Sequence, residues 1–182
     1  MIAAEFRPIP QVACVEISAQ PIFIFRESLS SAAAAGDYVR AHELAVKMSQ
    51  NGKAEGSDLN RLAWYALLTG KMEPEDLGYA IKAVQQENNF AALHSLGCVY
   101  AEIGKMKEAR DILIPSMDRL NVDEPEPNTW YGFGRIAEQD GEIDVAKADY
   151  ERVTRPKREM EIAGSSYRLA QNRLTILGST PH

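Results

Sequence analysis

His94 and Cys98 stand four residues apart in the run LHSLGCVYAEIG, so on a helix they share one face, where an imidazole could take the proton from a thiol. Nucleophilic catalysis by such a pair also needs a third group to orient the imidazole, and none is apparent nearby in sequence. His42, His182 and Cys14 are scattered through the rest of the chain. No pair among these residues has zinc-ligand spacing, and two distant cysteines make neither a disulfide framework nor a metal site. Neither a metal nor a cofactor is therefore expected. Gly132-Phe133-Gly134 has the glycines of a phosphate loop, but it lies inside a helical pattern and lacks the following Lys-Ser/Thr. Glu73, Glu75 and Asp76 suit the positive end of a helix, and Asp123, Glu124 and Glu126 fall in a polar insertion, so both groups read as solvated acids. The expectation is a chain that is not an enzyme and has no catalytic residues.

A helical hairpin must position the His94–Cys98 pair. Leu93–Leu113 reads as an amphipathic helix, a turn at Gly104, and a second helix whose Ala109 faces back onto the first. The turn glycine recurs, with Gly36, Gly70, Gly104 and Gly141 standing 34, 34 and 37 residues apart. A period in this range marks helical hairpins, each unable to bury its apolar face alone and so stacked on copies of itself. Around Gly104 the in-register residues are Leu96, Gly97, Tyr100 and Ala109; around Gly141 they are Trp130, Phe133, Gly134, Ala137, Ala146, Tyr150 and Pro156. Glu75 holds the place where the other three copies have alanine, which predicts a shifted second hairpin. The insertion NVDEPEPN at Asn121–Asn128 accounts for the longer last spacing.

The Leu-Gly-x-x-Tyr…Gly…Ala series resembles the tetratricopeptide repeat (TPR) family over roughly residues 25–176. The resemblance implies an all-α fold, a right-handed superhelical stack of about four hairpins closed by a C-terminal capping helix. The repeat domain is expected over 25–178, with hairpins at about 25–51, 57–87, 90–119 and 127–155 and the capping helix at about 159–177. Ser57 is the expected N-cap of the second hairpin. Residues 1–24, which include Pro8, Pro10 and Pro21, are expected to form an extended N-terminal segment, and 179–182 a tail.

In TPR arrays the first helices line a concave groove that binds proteins or peptides. By register the groove positions here are Asn60, Trp64, Leu67, His94, Cys98, Glu102, Tyr131, Arg135 and Glu138. That mixture of apolar, aromatic and charged groups suits a peptide partner. Some family members grip a C-terminal carboxylate with a Lys, Asn and Arg clamp. The corresponding positions here are Arg26, Ser30, Arg61, Ala91 and Ser95, so the clamp is not reproduced. The strings LNRLAWYALLTGK, ALHSLGCVYAEIGKMKEAR and DEPEPNTWYGFGRIAEQDGE also resemble the C-terminal TPR region of bacterial transglutaminase-like proteins. That likeness implies a docking or regulatory tail, without the Cys-His-Asp domain that precedes it in such proteins.

Composition narrows the partner class further. A net charge of −6, from 20 basic and 26 acidic residues, disfavours binding along a nucleic-acid backbone. No apolar run approaches the roughly 20 residues that a membrane span requires. The start, MIAAEFRPIPQ, has an acid and two prolines where a secretory signal needs a basic start and an unbroken apolar stretch. The expected location is cytoplasmic, or periplasmic if the chain is part of a longer exported protein. Exposed end faces of the stack give self-association into a homodimer as a further expectation.

Overall fold

The computed structural model describes residues 22–50, 52, 54–118 and 124–179. Among these it has ten helices and no strand. Four antiparallel hairpins come first: α1 (Ile22–Ala34) with α2 (Tyr38–Gln50), α3 (Gly56–Thr69) with α4 (Pro74–Gln86), α5 (Phe90–Glu102) with α6 (Met106–Asp118), and α7 (Pro127–Gln139) with α8 (Ile143–Glu151). A short α9 (Glu159–Ile162) and α10 (Tyr167–Ser179) follow. α5 packs on both α3 and α4, and α7 on both α5 and α6, so the odd helices form one layer and the even helices the other. This is an all-α repeat fold.

The hairpin geometry follows from the periodic residues. Gly36, Gly70, Gly104 and Gly141 all turn the chain at φ between +73° and +84°, the left-handed region that glycine enters without steric cost. Ala41, Ala109 and Ala146 are fully buried just inside the second helices. Gly134 in α7 admits the ring of Tyr150 in α8, and Gly97 in α5 admits Leu113 in α6: a Cβ on either glycine would come within 2.6 Å of the partner side chain. α4 starts four residues after its glycine, whereas α2, α6 and α8 start two after theirs. Pro74 sets that start, because the residue before a proline is held out of the helical region. One apolar core runs through the stack from Phe25 to Leu177.

Three local expectations need correction. α1 begins at Ile22, so residues 22–24 are helical and not part of an extended segment; the rest of the 1–24 segment, with Cys14, lies outside the described residues. α3 is capped at Glu55 and not at Ser57, because the Asp58 carboxylate reaches back to accept the Glu55 N–H at 3.1 Å. The same carboxylate takes two bonds from Arg26 on α1, at 3.0 and 2.6 Å. Burial raises the Asp58 carboxyl, but Arg26, the Glu55 N–H and the nearby Arg61 charge together more than offset this and hold it below the usual carboxylate range. Finally, the C-terminal region is two helices and not one. Between α9 and α10 the groups of Gly164, Ser165 and Ser166 are engaged elsewhere: the Gly164 carbonyl and the Ser166 N–H bond side chains of α3 and α7, and Ser165 Oγ accepts the Tyr167 N–H at 3.2 Å.

Candidate functional site: the odd-helix face and the segment across it

After α8 the chain does not simply add another hairpin. Residues 152–158 lead to α9, which lies against α1 at the opposite end of the stack, and α10 then returns to pack on α8 and α7. Tyr38, at the start of α2, donates to the Ile162 carbonyl at 2.7 Å. Trp64 on α3 donates its indole N–H to the Gly164 carbonyl at 3.0 Å. Asn128 on α7 donates to that same carbonyl at 3.0 Å, and its Oδ1 accepts both the N–H and the hydroxyl of Ser166 at 2.9 Å. Arg168 closes the path, donating to the Leu68 carbonyl at 3.1 Å and lying over the Tyr38 ring. Residues 162–166 thus bond side chains of α2, α3 and α7 in turn, crossing the odd-helix face from one end of the stack to the other.

The nine residues assigned to this face by register fall into three places. Asn60, Trp64 and His94 line a cavity of 410 Å³ between α3, α5 and the start of α7, together with Arg61, Phe90 and Glu126. Residues Ala163 and Gly164 form one wall of it. Asn60 Oδ1 is buried without a hydrogen-bond partner. Leu67 and Cys98 belong to the core and are fully buried.

The other four join in one network. Glu102 Oε2 accepts from Tyr131 and from Arg135 Nε, each at 2.8 Å, while Arg135 Nη1 reaches Glu138 at 3.0 Å. Glu138 also accepts from Tyr150 at 2.6 Å and from Arg173 Nε at 2.9 Å, and a second Arg173 bond reaches its other oxygen. Two carboxylates and two guanidiniums thus balance while tying α5, α7, α8 and α10 together. Burial disfavours the charge on Arg135, but Glu102, Tyr150 and Tyr131 together outweigh it and keep the guanidinium protonated. Burial likewise pushes Tyr131 up strongly, with Glu102 adding to it, and pushes Tyr150 up to about 12.

The His94–Cys98 pair exists, with Nε2 3.6 Å from Sγ, but its electrostatics oppose thiolate chemistry. Burial lowers the imidazole to about pKa 4 and raises the thiol well above its ordinary value, with Glu102 adding to the thiol's rise. At neutral pH both groups are uncharged. His94 is packed between the rings of Trp64 and Phe90, with centroids 5.4 and 5.6 Å away.

Register missed Asn128, Arg173 and the Gly164–Ser166 segment. Asn128 was readable in principle: Asn128, Tyr131 and Arg135 have the i, i+3, i+7 spacing of one helix face, but the loop-like insertion before it masked the helix start.

With this geometry in hand, comparison with known proteins bears on the fold. A solved structure of a mutant of MamA, a TPR-like helical protein, matches with a TM-score of 0.52 at 17% identity, over 86% of this chain and 90% of that one. The fold is TPR-like. No protein-family model matches the chain, and no curated protein does. The transglutaminase-like resemblance gains no support from these comparisons. Among the described residues, no helix is long and apolar enough to cross a membrane.

Proposed function

We propose that this chain is a non-enzymatic protein-interaction module whose concave face holds an extended segment of a protein or peptide partner. One observation supports this reading most: the face already holds polypeptide. Trp64 and Asn128 grip Gly164–Ser166 mainly through its backbone, by bonds that another chain of similar shape could make equally well. The 410 Å³ cavity beside that contact leaves room for one or two further side chains against Asn60, Trp64, Phe90 and His94.

On this reading the nine register positions divide by role. Asn60, Trp64 and His94, joined by Asn128, contact the partner. Leu67, Cys98, Glu102, Tyr131, Arg135 and Glu138 are the frame that fixes the curvature. Substitutions at Tyr131 or Arg135 would break the buried network and so confound a binding test. The direct test is a peptide array probed with the native chain and with Trp64→Phe plus Asn128→Ala. Peptides captured by the native chain should be lost from the variant at unchanged helicity; equal capture by both refutes the groove assignment.

A further inference from the structure

The segment across the groove is built differently from everything around it. α8 is anchored by buried Tyr150 and Val153, and α10 by buried Ala170 and Leu177. Between these anchors, among the residues whose burial is described, only Ser166 is buried, while Thr154, Arg155, Lys157, Arg158, Glu161 and Ile162 are exposed. The segment is therefore held by a handful of polar bonds to Tyr38, Trp64 and Asn128 and by little apolar burial. Segments with few buried apolar contacts open at a small fraction of the global unfolding free energy. The exposed loop 154–158 and the short α9 give it slack, and the two anchors let it lift without loss of the stack.

We propose that residues 154–166 are a displaceable internal occupant of the groove, standing in for a partner peptide that presents a small residue followed two positions later by serine or threonine. The inference rests on the reading of the concave face as a peptide site. The pattern comes from the contacts. Asn128 joins the carbonyl of one residue to the N–H and hydroxyl of the residue two further on, a two-residue register that a side-chain amide can span. A Cβ at Gly164 would lie 3.7 Å from Trp64 Nε1, an ordinary contact, so a small residue keeps its carbonyl beside the indole that bonds it. A partner must displace the internal segment, so its apparent affinity is reduced by the small fraction of chains that are open.

The probe is a fluorescein-labelled peptide of sequence EIAGSSYR, read by anisotropy against the full chain. Native chain should bind it weakly. Arg168→Ala removes the tie that the segment's C-terminal end makes to the Leu68 carbonyl and leaves Tyr38, Trp64 and Asn128 intact for the peptide. It should tighten binding about ten-fold or more, the scale set by one hydrogen bond from a charged donor. Ser166→Val loosens the segment independently, by placing a branched apolar group where the buried hydroxyl now meets Asn128, and should act in the same direction. Replacing the peptide's second serine with valine should abolish binding to every form, because Asn128 Oδ1 then meets a methyl group in place of the hydroxyl. Equal affinity in native and loosened chains overturns the displaceable occupant, and undiminished binding of the valine peptide overturns the serine-or-threonine register. If the loosened chains gain nothing while the native chain still captures array peptides through Trp64 and Asn128, this inference falls and the groove reading stands. If no form of the chain, with native helicity, captures any peptide, both fall.

Discussion

Acidification from pH 7 to pH 5 should destabilise this fold chiefly through His94. The imidazole sits among Trp64, Phe90 and Cys98, and burial lowers its pKa to about 4 from an ordinary value of 6.5. A group that is neutral in the fold and protonated in the unfolded chain makes the unfolded state bind more protons, so stability falls as pH falls below 6.5. The loss grows to about 3 kcal/mol by pH 4 and reaches about 2 kcal/mol at pH 5, from 1.36 kcal/mol per pH unit. Asp58 acts in a different window: its carboxyl is held low in the fold, so its contribution is present above the unfolded value of 3.8 and is lost only below it. Urea denaturation followed by circular dichroism at pH 7, 6 and 5 measures the effect. His94→Leu keeps the volume and removes the titration, so the variant should lose about 2 kcal/mol less than the native chain between pH 7 and pH 5. Equal losses in the two would show that His94 is protonated in the fold, and the packing described for it would be wrong.

Other consequences follow from single contacts. Gly134→Ala should lower stability by about 1–3 kcal/mol in thermal melts, because the Tyr150 ring it meets at 2.6 Å is itself held by the bond to Glu138 and has little room to yield. Arg173→Ala should cost about 1–3 kcal/mol and speed hydrogen exchange in α10 before the hairpins, since it removes the tie between that helix and Glu138. Cys98 should resist iodoacetamide in the native chain at pH 8 and react once the chain is unfolded, as peptide mass mapping would report. Rapid native labelling of Cys98 would restore the His94–Cys98 pair as a candidate nucleophile.

The hairpins were legible because their signals are local. A glycine that must enter the left-handed region and an alanine that must fit between helices recur at a fixed distance, and each hairpin is a contiguous stretch of chain. Register also puts Trp64 and His94 on the odd-helix face, since their place depends only on helical period and the turn glycine. What period cannot report is a chain returning on itself. The bonds of Trp64 to Gly164, Arg168 to Leu68 and Tyr38 to Ile162 join residues 100, 100 and 124 positions apart. In the sequence, Gly164-Ser165-Ser166 looks like a weak spot in a terminal helix. The break appears only once side chains on α3 and α7 have claimed its backbone groups. Glu102, Tyr131, Arg135 and Glu138 illustrate the same limit: their face was readable, but the Arg173 that joins Glu138 to α10 was not.

The most direct measurement is the indole N–H of Trp64 by nuclear magnetic resonance, assigned against Trp130 by its loss in Trp64→Phe. If the Gly164 carbonyl caps it, the resonance should be slow to exchange with solvent in the native chain and faster in Ser166→Val. In that variant, saturating EIAGSSYR peptide should restore the protection. A Trp64 indole that exchanges freely in the native chain, and that the peptide leaves unchanged in both forms, would contradict the account of the groove.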